Sequence, residues 1–275
     1  MSIKLLRIPL QFCSNLIRRL IWLTQNSKKA NLSFFKVHLL VVNNTFYARL
    51  AQTCVESFLF FHPNSQIIIH YDYKTEKELI KRFKAVALLR KNKVNFELVN
   101  ENSVWQLHKL HIILGMQGTY DFFMDCDLRW NGSIQDKNED RLIFFLEERV
   151  LVSYEEIYEA MQKKLAPYTN TSMKNTSFFS WSGVKILESQ CQHIVDLWAE
   201  LYENTLNQTS IQSQSVSRIS EQVVLSLVPR LFGLPFSFLK DSDKQFDGSI
   251  CESSYYGASG GRFALWGNTN RKPWF

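Results

Sequence analysis

Between residues 35 and 125, short apolar runs alternate with amphipathic stretches, and few architectures accept that order. Phe35 to Val42 (FKVHLLVV) has the length and the β-branched content of a buried strand. Tyr47 to Phe61 then reads as a helix with Leu50, Val55, Phe58 and Leu59 on its apolar side. His62-Pro63-Asn64-Ser65 is a turn signal, and Gln66 to Tyr71 (QIIIHY) is a second buried strand that stops at Asp72. Lys74 to Arg90 predicts a charged amphipathic helix, Val94 to Val99 a third strand and Trp105 to Leu114 another helix. Strand and helix in strict alternation predict an α/β fold with a mainly parallel central sheet. In such sheets ligands gather beyond the carboxyl ends of the strands, where Asn43, Asp72 and Asp125 fall.

The fourth strand of the series ends in acids. Phe122 to Met124 is apolar, and Asp125-Cys126-Asp127 follows directly. On an extended backbone residues i and i+2 point to one side, so Asp125 and Asp127 can face a shared point beyond the sheet. Two carboxylates that close resist joint ionisation unless a cation lies between them. Hard oxygen donors favour Mn²⁺ or Mg²⁺, which keep open positions for phosphate oxygens. The spacing predicts a metal clamp for a diphosphate; its plainer reading is a strand-end turn with two solvated acids.

Composition narrows the partners. The chain has 275 residues and a formal charge of +6, suited to an anionic substrate or a membrane surface. The basic residues form no stripe interleaved with aromatics, so nucleic acid is not expected. Five widely spaced cysteines make no CxxC pair and no zinc-ligand spacing, which predicts buried free thiols in a reducing compartment. Several Asn-x-Ser/Thr triplets occur, among them those beginning at Asn43, Asn131, Asn170, Asn175 and Asn207. A glycan on Asn131 would obstruct the two acids, so a cytoplasmic location is expected, on the cytoplasmic membrane face if residues 1–30 dock there.

Residues 1–30 stand apart as a basic amphipathic segment. Phe12, Leu16, Leu20 and Leu23 share a helical face with Ile17 and Ile21 beside it, while Asn15, Arg18 and Arg19 point away. The run is too short and too interrupted to span a bilayer. It either lies on an anionic membrane surface as a peripheral contact or packs on its own domain or on a partner chain. Residues 31–275 are read as one catalytic domain. Within it Ile143 to Tyr154 predicts a helix or a strand, Tyr154 to Leu165 a helix and Phe178 to Leu187 a strand. Gln190 to Glu203 is amphipathic, Asn204 to Ser217 is a polar loop, and Ser220-Glu221 opens a short helix. His38, His70 and His111 are expected in the core or just behind the site.

Several motifs, in order along the chain, resemble the GT-A fold glycosyltransferases, most closely the retaining family 8 enzymes of the glycogenin and bacterial galactosyltransferase type. Besides Asp125-Cys126-Asp127, Lys109-Leu110-His111 matches the family's Thr-Lys-Leu-His run, with His108 in place of Thr. Asn44 and Tyr47 match its Asn-x-x-Tyr, Ser182-Gly183-Val184 its Ser-Gly-Val strand, Glu221-Gln222 its Asp-Gln pair, and Lys272-Pro273-Trp274 its terminal Lys-Pro-Trp. Two positions depart. Trp266 stands where the family has a third metal ligand, a His, and Trp181 stands where it has an Asn.

The resemblance implies a Rossmann-like GT-A domain, a UDP-sugar donor, a glycan or lipid-linked saccharide acceptor and Mn²⁺ (or Mg²⁺) on Asp125 and Asp127. It implies that Asn44 and Tyr47 meet uracil and ribose, that Asp125 and Lys272 serve the donor phosphates, and that Lys109 holds the donor phosphate or sugar. Gln222 would bind donor hydroxyls near the anomeric carbon, with Glu221 beside it to stabilise positive charge there. Two other readings stay open. One is a transferase-like protein that binds nucleotide or glycan without turnover. The other is a phosphatase of the haloacid-dehalogenase type, whose Asp-x-Asp normally lies in a chain-initial strand and continues to Thr or Val where this chain has Arg129.

Overall fold

The structure, a computed structural model, describes residues 30–90, 93–99, 105–116, 121–130, 132–134, 143–145, 149–151, 178–180, 183–186, 235–238 and 251–253. Ile17, Leu20, Leu23, Thr24, Asn26 and Lys28 are described ahead of them. The chain divides into two compact units. One holds Met1–Val99, Asp125–Gln135 and Asp241–Phe275, and the other Asn100–Met124 and Asp136–Lys240.

The first unit is built on β1 (Lys36–Val41), α1 (Thr45–Phe61), β2 (Gln66–Tyr71), α2 (Tyr73–Leu89) and β3 (Val94–Leu98). The strands pair in parallel, with Val37 opposite Ile67 and Ile69 opposite Phe96. Val37, Leu39, Val41, Ile67 and Ile69 are fully buried, as β-branched and aliphatic side chains on one face of a covered sheet should be. Helix α1 is unusual in being buried from Leu50 through Leu59 without a break. Its buried Gln52 and Glu56 satisfy each other one turn apart, Gln52 Nε2 donating to Glu56 Oε1 at 2.9 Å. Helix α2 has the ordinary two-faced pattern: Leu79, Phe83 and Val86 are buried and its lysines face water. A short β5 (Leu128–Trp130) pairs antiparallel with β11 (Cys251–Ser253).

The second unit contains α3 (Trp105–Gly115), β4 (Asp121–Met124), β6 (Ile143–Phe145), β7 (Arg149–Leu151), β8 (Phe178–Ser180), β9 (Gly183–Ile186) and β10 (Phe236–Phe238). β9 lies antiparallel between β4 and β6, and β10 joins β6 in parallel. The fold is mixed α/β with a mainly parallel central sheet, as the alternation predicts.

Three expectations need correction. Ile143 to Tyr154 is not one element: it contains β6 and β7, which have different partners. Phe178 to Leu187 likewise holds two strands, because Phe178–Ser180 pairs with β7 whereas Gly183–Ile186 pairs with β4 and β6. β5 has no counterpart in the sequence reading, since three residues carry no measurable period. Tyr154 to Leu165, Gln190 to Glu203, Asn204 to Ser217 and the helix opened by Ser220 lie outside the described residues.

Candidate active site

At the carboxyl end of β1 the chain makes a sharp change of direction. Asn43 adopts φ 69°, the left-handed region that Asn tolerates better than most non-glycine residues. Its N–H donates to Asp72 Oδ2 at 2.6 Å, which ties the end of β1 to the end of β2. Asp72 also caps α2, its Oδ1 accepting from the Thr75 N–H at 3.0 Å. The Thr75 hydroxyl lies 2.9 Å from the Val41 carbonyl and 2.9 Å from Asp72 Oδ1, and donates to one of them at a time. A cap of this type contributes about 1 kcal/mol, of the order needed to hold the strained Asn43 backbone. Asn44 then caps α1, its Oδ1 accepting from the Phe46 N–H at 2.9 Å. Asn44 is exposed and Tyr47, one turn in, is half-buried with the Phe46 ring 6.5 Å away.

The acids sit between two buried strands. Asp121–Met124 and Leu128–Trp130 are buried throughout, whereas Asp125 and Asp127 are half-buried on either side of a buried Cys126. Cys126 and Asp127 form a turn rather than the extended continuation of β4 on which the same-side reading of the acids was based. Burial pushes the Cys126 thiol well above its ordinary range, and the charges of Asp127 and Asp125, followed by Cys54, push it further. Cys54 and Cys126 are both free and buried, as the cysteine spacing predicts.

Helix α1 holds this turn through a row of polar side chains that sequence periodicity could not place. Cys54 Sγ donates to the Asp125 carbonyl at 3.6 Å. Ser57 Oγ accepts from the Trp130 N–H at 3.0 Å, and His62 Nε2 accepts from the Ile134 N–H at 3.1 Å. Asn31 Nδ2 donates to the Ile134 carbonyl at 2.6 Å, closing the far end. The fully buried Trp130 ring packs edge-on against Phe58 at 5.0 Å and against His62 at 5.9 Å. The segment from Asp125 to Ile134 is therefore strapped along α1 by contacts that all lie within the first unit.

Two histidines are held neutral. His62 Nε2 is occupied as an acceptor, so Nδ1 carries the proton, and burial lowers its pKa to about 3. His38 Nδ1 lies 3.0 Å from His70 Nε2, and His70 Nδ1 lies 3.4 Å from Glu97 Oε2. If His70 donates to the carboxylate, His38 must donate to His70, which leaves His38 Nε2 an unprotonated acceptor with no partner among the described residues. Burial, aided by Lys36, lowers the His38 pKa to about 4. His38 and His70 belong to the core as expected, whereas His111 is exposed.

Of the sequence-predicted residues, Asn44, Tyr47, Asp125 and Asp127 belong to the first unit and Lys109 to the second. Lys109 is buried, and its Nζ lies 5.3 Å from the centroid of Phe123, one residue before Met124 on β4. Glu221, Gln222, Lys272, Trp181 and Trp266 lie outside the described residues. Among the described residues no group of three or more His, Cys, Asp or Glu side chains is gathered as for a metal. The two half-buried carboxylates alone do suit a hard divalent cation that keeps open positions for other oxygens. No helix of the described residues is long and apolar enough to cross a membrane.

The sequence matches no protein-family model and no curated protein. Its likeness is to solved structures. The galactosyltransferase LgtC, in complex with donor and acceptor sugar analogues, superposes with a TM-score of 0.53 at 14 % identity over 85 % of this chain and 92 % of its own. An active-site mutant of LgtC gives 0.50 at 11 % identity over 81 % and 88 %. The glycosyltransferase GlyE of Streptococcus pneumoniae TIGR4 gives 0.47 at 11 % identity over 76 % of this chain and 46 % of its own. The chain has the GT-A fold of the glycosyltransferases.

Proposed function

We propose that the chain is a metal-dependent glycosyltransferase, related to the retaining family 8 enzymes, that moves a hexose from a UDP-sugar to a glycan or lipid-linked saccharide. The observation that carries this reading is the pair of half-buried carboxylates, Asp125 and Asp127, set in a turn directly after a buried strand of a glycosyltransferase fold. Mn²⁺ or Mg²⁺ held there would neutralise the negative charge that develops on the departing diphosphate.

The remaining assignments follow from position. Asn44 stands at the positive end of α1 with its Oδ1 committed to Phe46, so its amide NH₂ is the group that can donate to a uracil carbonyl. Tyr47 offers its ring to the nucleoside. Asp125 and Asp127 take the cation, and Lys109 and Lys272 are assigned to the donor phosphates. Gln222 is assigned to the donor hydroxyls and Glu221 to the anomeric centre. The free, buried Cys54 and Cys126 favour a reducing, cytoplasmic setting. β4 is preceded by three strands, which argues against a haloacid-dehalogenase arrangement.

Thermal unfolding with a panel of sugar nucleotides tests the assignment. UDP and a UDP-hexose should raise the midpoint by on the order of 5 °C when well above their dissociation constants, and a chelator should reverse the gain. Stabilisation that ignores the chelator removes the metal from the account, and no response to any uridine nucleotide removes the donor. Stabilisation without transfer to any of a broad panel of acceptors would instead favour a binding protein.

A further inference from the structure

Residues 1–30 contain six Lys and Arg (Lys4, Arg7, Arg18, Arg19, Lys28 and Lys29) and no Asp or Glu. The whole chain has 32 basic and 26 acidic residues, so beyond residue 30 the two signs balance at 26 each. The entire formal charge of +6 therefore belongs to this one segment. Charge confined in this way marks a surface for an anionic partner rather than a general solubility device.

Apolar side chains stand out from the same region. Ile17, Leu20, Leu23 and Thr24 are helical, and Thr24 Oγ1 donates to the Leu20 carbonyl at 2.8 Å, four residues back. Leu23 is 3 % exposed and anchors the stretch, while Ile17 and Leu20 are 57 % and 44 % exposed. Shortly after, Leu32 is 67 % and Phe34 45 % exposed. The outward placement of Leu32 and Phe34 is not the fraying of a loose end. The Asn31 N–H donates to the Phe61 carbonyl at 2.8 Å, Asn64 Nδ2 to the Leu32 carbonyl at 2.8 Å, and the Ser33 N–H to Asn31 Oδ1 at 2.9 Å.

We propose that the basic N-terminal stretch docks on an anionic lipid bilayer through the exposed Ile17, Leu20, Leu32 and Phe34. Ile17, Leu20, Leu32 and Phe34 enter the headgroup region, and the basic residues meet the lipid phosphates. Large apolar groups mixed with cations and no acids are what an anionic interface accommodates and what water does not. Phe34 stands ahead of β1 and Asn43 follows it, and six strand residues separate them by about 20 Å. The inference goes beyond the transferase assignment and needs neither nucleotide nor metal.

The test is co-sedimentation of the full chain with vesicles of phosphatidylcholine, with and without phosphatidylglycerol, in the absence of UDP and Mn²⁺. Binding is expected only to the anionic vesicles and should weaken as salt is raised. Reversing Arg18 and Arg19 to Glu should lower the partition by about twenty-fivefold or more, at about fivefold per basic residue lost. Leu32→Ser with Phe34→Ser leaves the charge alone and should lower it severalfold. Both side chains are exposed, so an unchanged unfolding midpoint confirms that the fold is intact. No binding to anionic vesicles, or equal binding by wild type and either double variant, overturns the proposal. So does retention only by a nucleic acid or by an acidic protein. Because no donor is present, such a failure would leave the transferase assignment untouched, and a failure of the nucleotide experiment would leave this one untouched.

Discussion

Asp125→Asn is expected to lower sugar transfer by about a thousandfold while leaving the fold in place. The amide keeps the size of the carboxylate but removes its charge and one hard metal donor, and loss of a preorganised electrostatic group at a reacting centre carries a penalty of this order. Stability should change far less than activity, because the side chain is only half-buried and the amide keeps its size, while the Cys54 contact is made to the Asp125 backbone carbonyl. Turnover with a radiolabelled UDP-hexose, compared with denaturant unfolding of the same variant, separates the two effects. Full activity in Asp125→Asn would remove the metal clamp. Loss of activity accompanied by loss of folding would leave Asp127→Asn as the cleaner test. That side chain is also half-buried and should show the same split.

Acid should weaken the folded state well before its carboxylates titrate. His62 and His38 are held neutral, with pKa values lowered from 6.5 to about 3 and about 4. In the unfolded chain both take up protons as pH falls through 6.5, and in the folded chain they do not. Stability is thus fully present above pH 6.5 and declines below it until the folded-state values are reached. Between pH 7.5 and pH 5 each histidine should cost about 2 kcal/mol. Urea unfolding at the two pH values reads the sum directly. His62→Gln retains an oxygen that can accept from the Ile134 N–H but cannot titrate, so it should roughly halve the acid sensitivity whatever it does to stability at neutral pH. An unchanged pH dependence in that variant would show that His62 is not the group responsible.

Residues 35–99 were legible because their strands and helices are long enough to show a period. The helices predicted at Tyr47 to Phe61 and Lys74 to Arg90 begin and end within two residues of α1 and α2, and Asn44 and Asp72 cap them. The strap along α1 was not legible. Cys54, Ser57 and His62 lie in a helix and its exit turn among other polar residues, and their meaning lies in partners some seventy residues away, at Asp125, Trp130 and Ile134. Three-residue strands such as β5, β7 and β8 carry no period at all, which is why two of the later predictions merged separate elements. In the N-terminal segment, most of which lies outside the described residues, the period set Leu20 and Leu23 on one face, and the two differ in burial. Leu23 is packed inward, and Ile17 and Leu20 are not. The acids themselves were visible from their place after an apolar run, although they stand in a turn where the spacing assumed an extended strand.

Helix α1, buried without a break from Leu50 through Leu59, acts as a ruler. Tyr47 and Cys54 are seven residues apart, about 10 Å along the axis, and the second grips the backbone of Asp125. If the nucleoside is read at one mark and the pyrophosphate at the other, the gap between them is set by rigid helix and cannot be adjusted by loop motion. A donor shortened by one phosphate would then seat its base and fall short of the acids, so the enzyme would measure its substrate by length before testing its sugar.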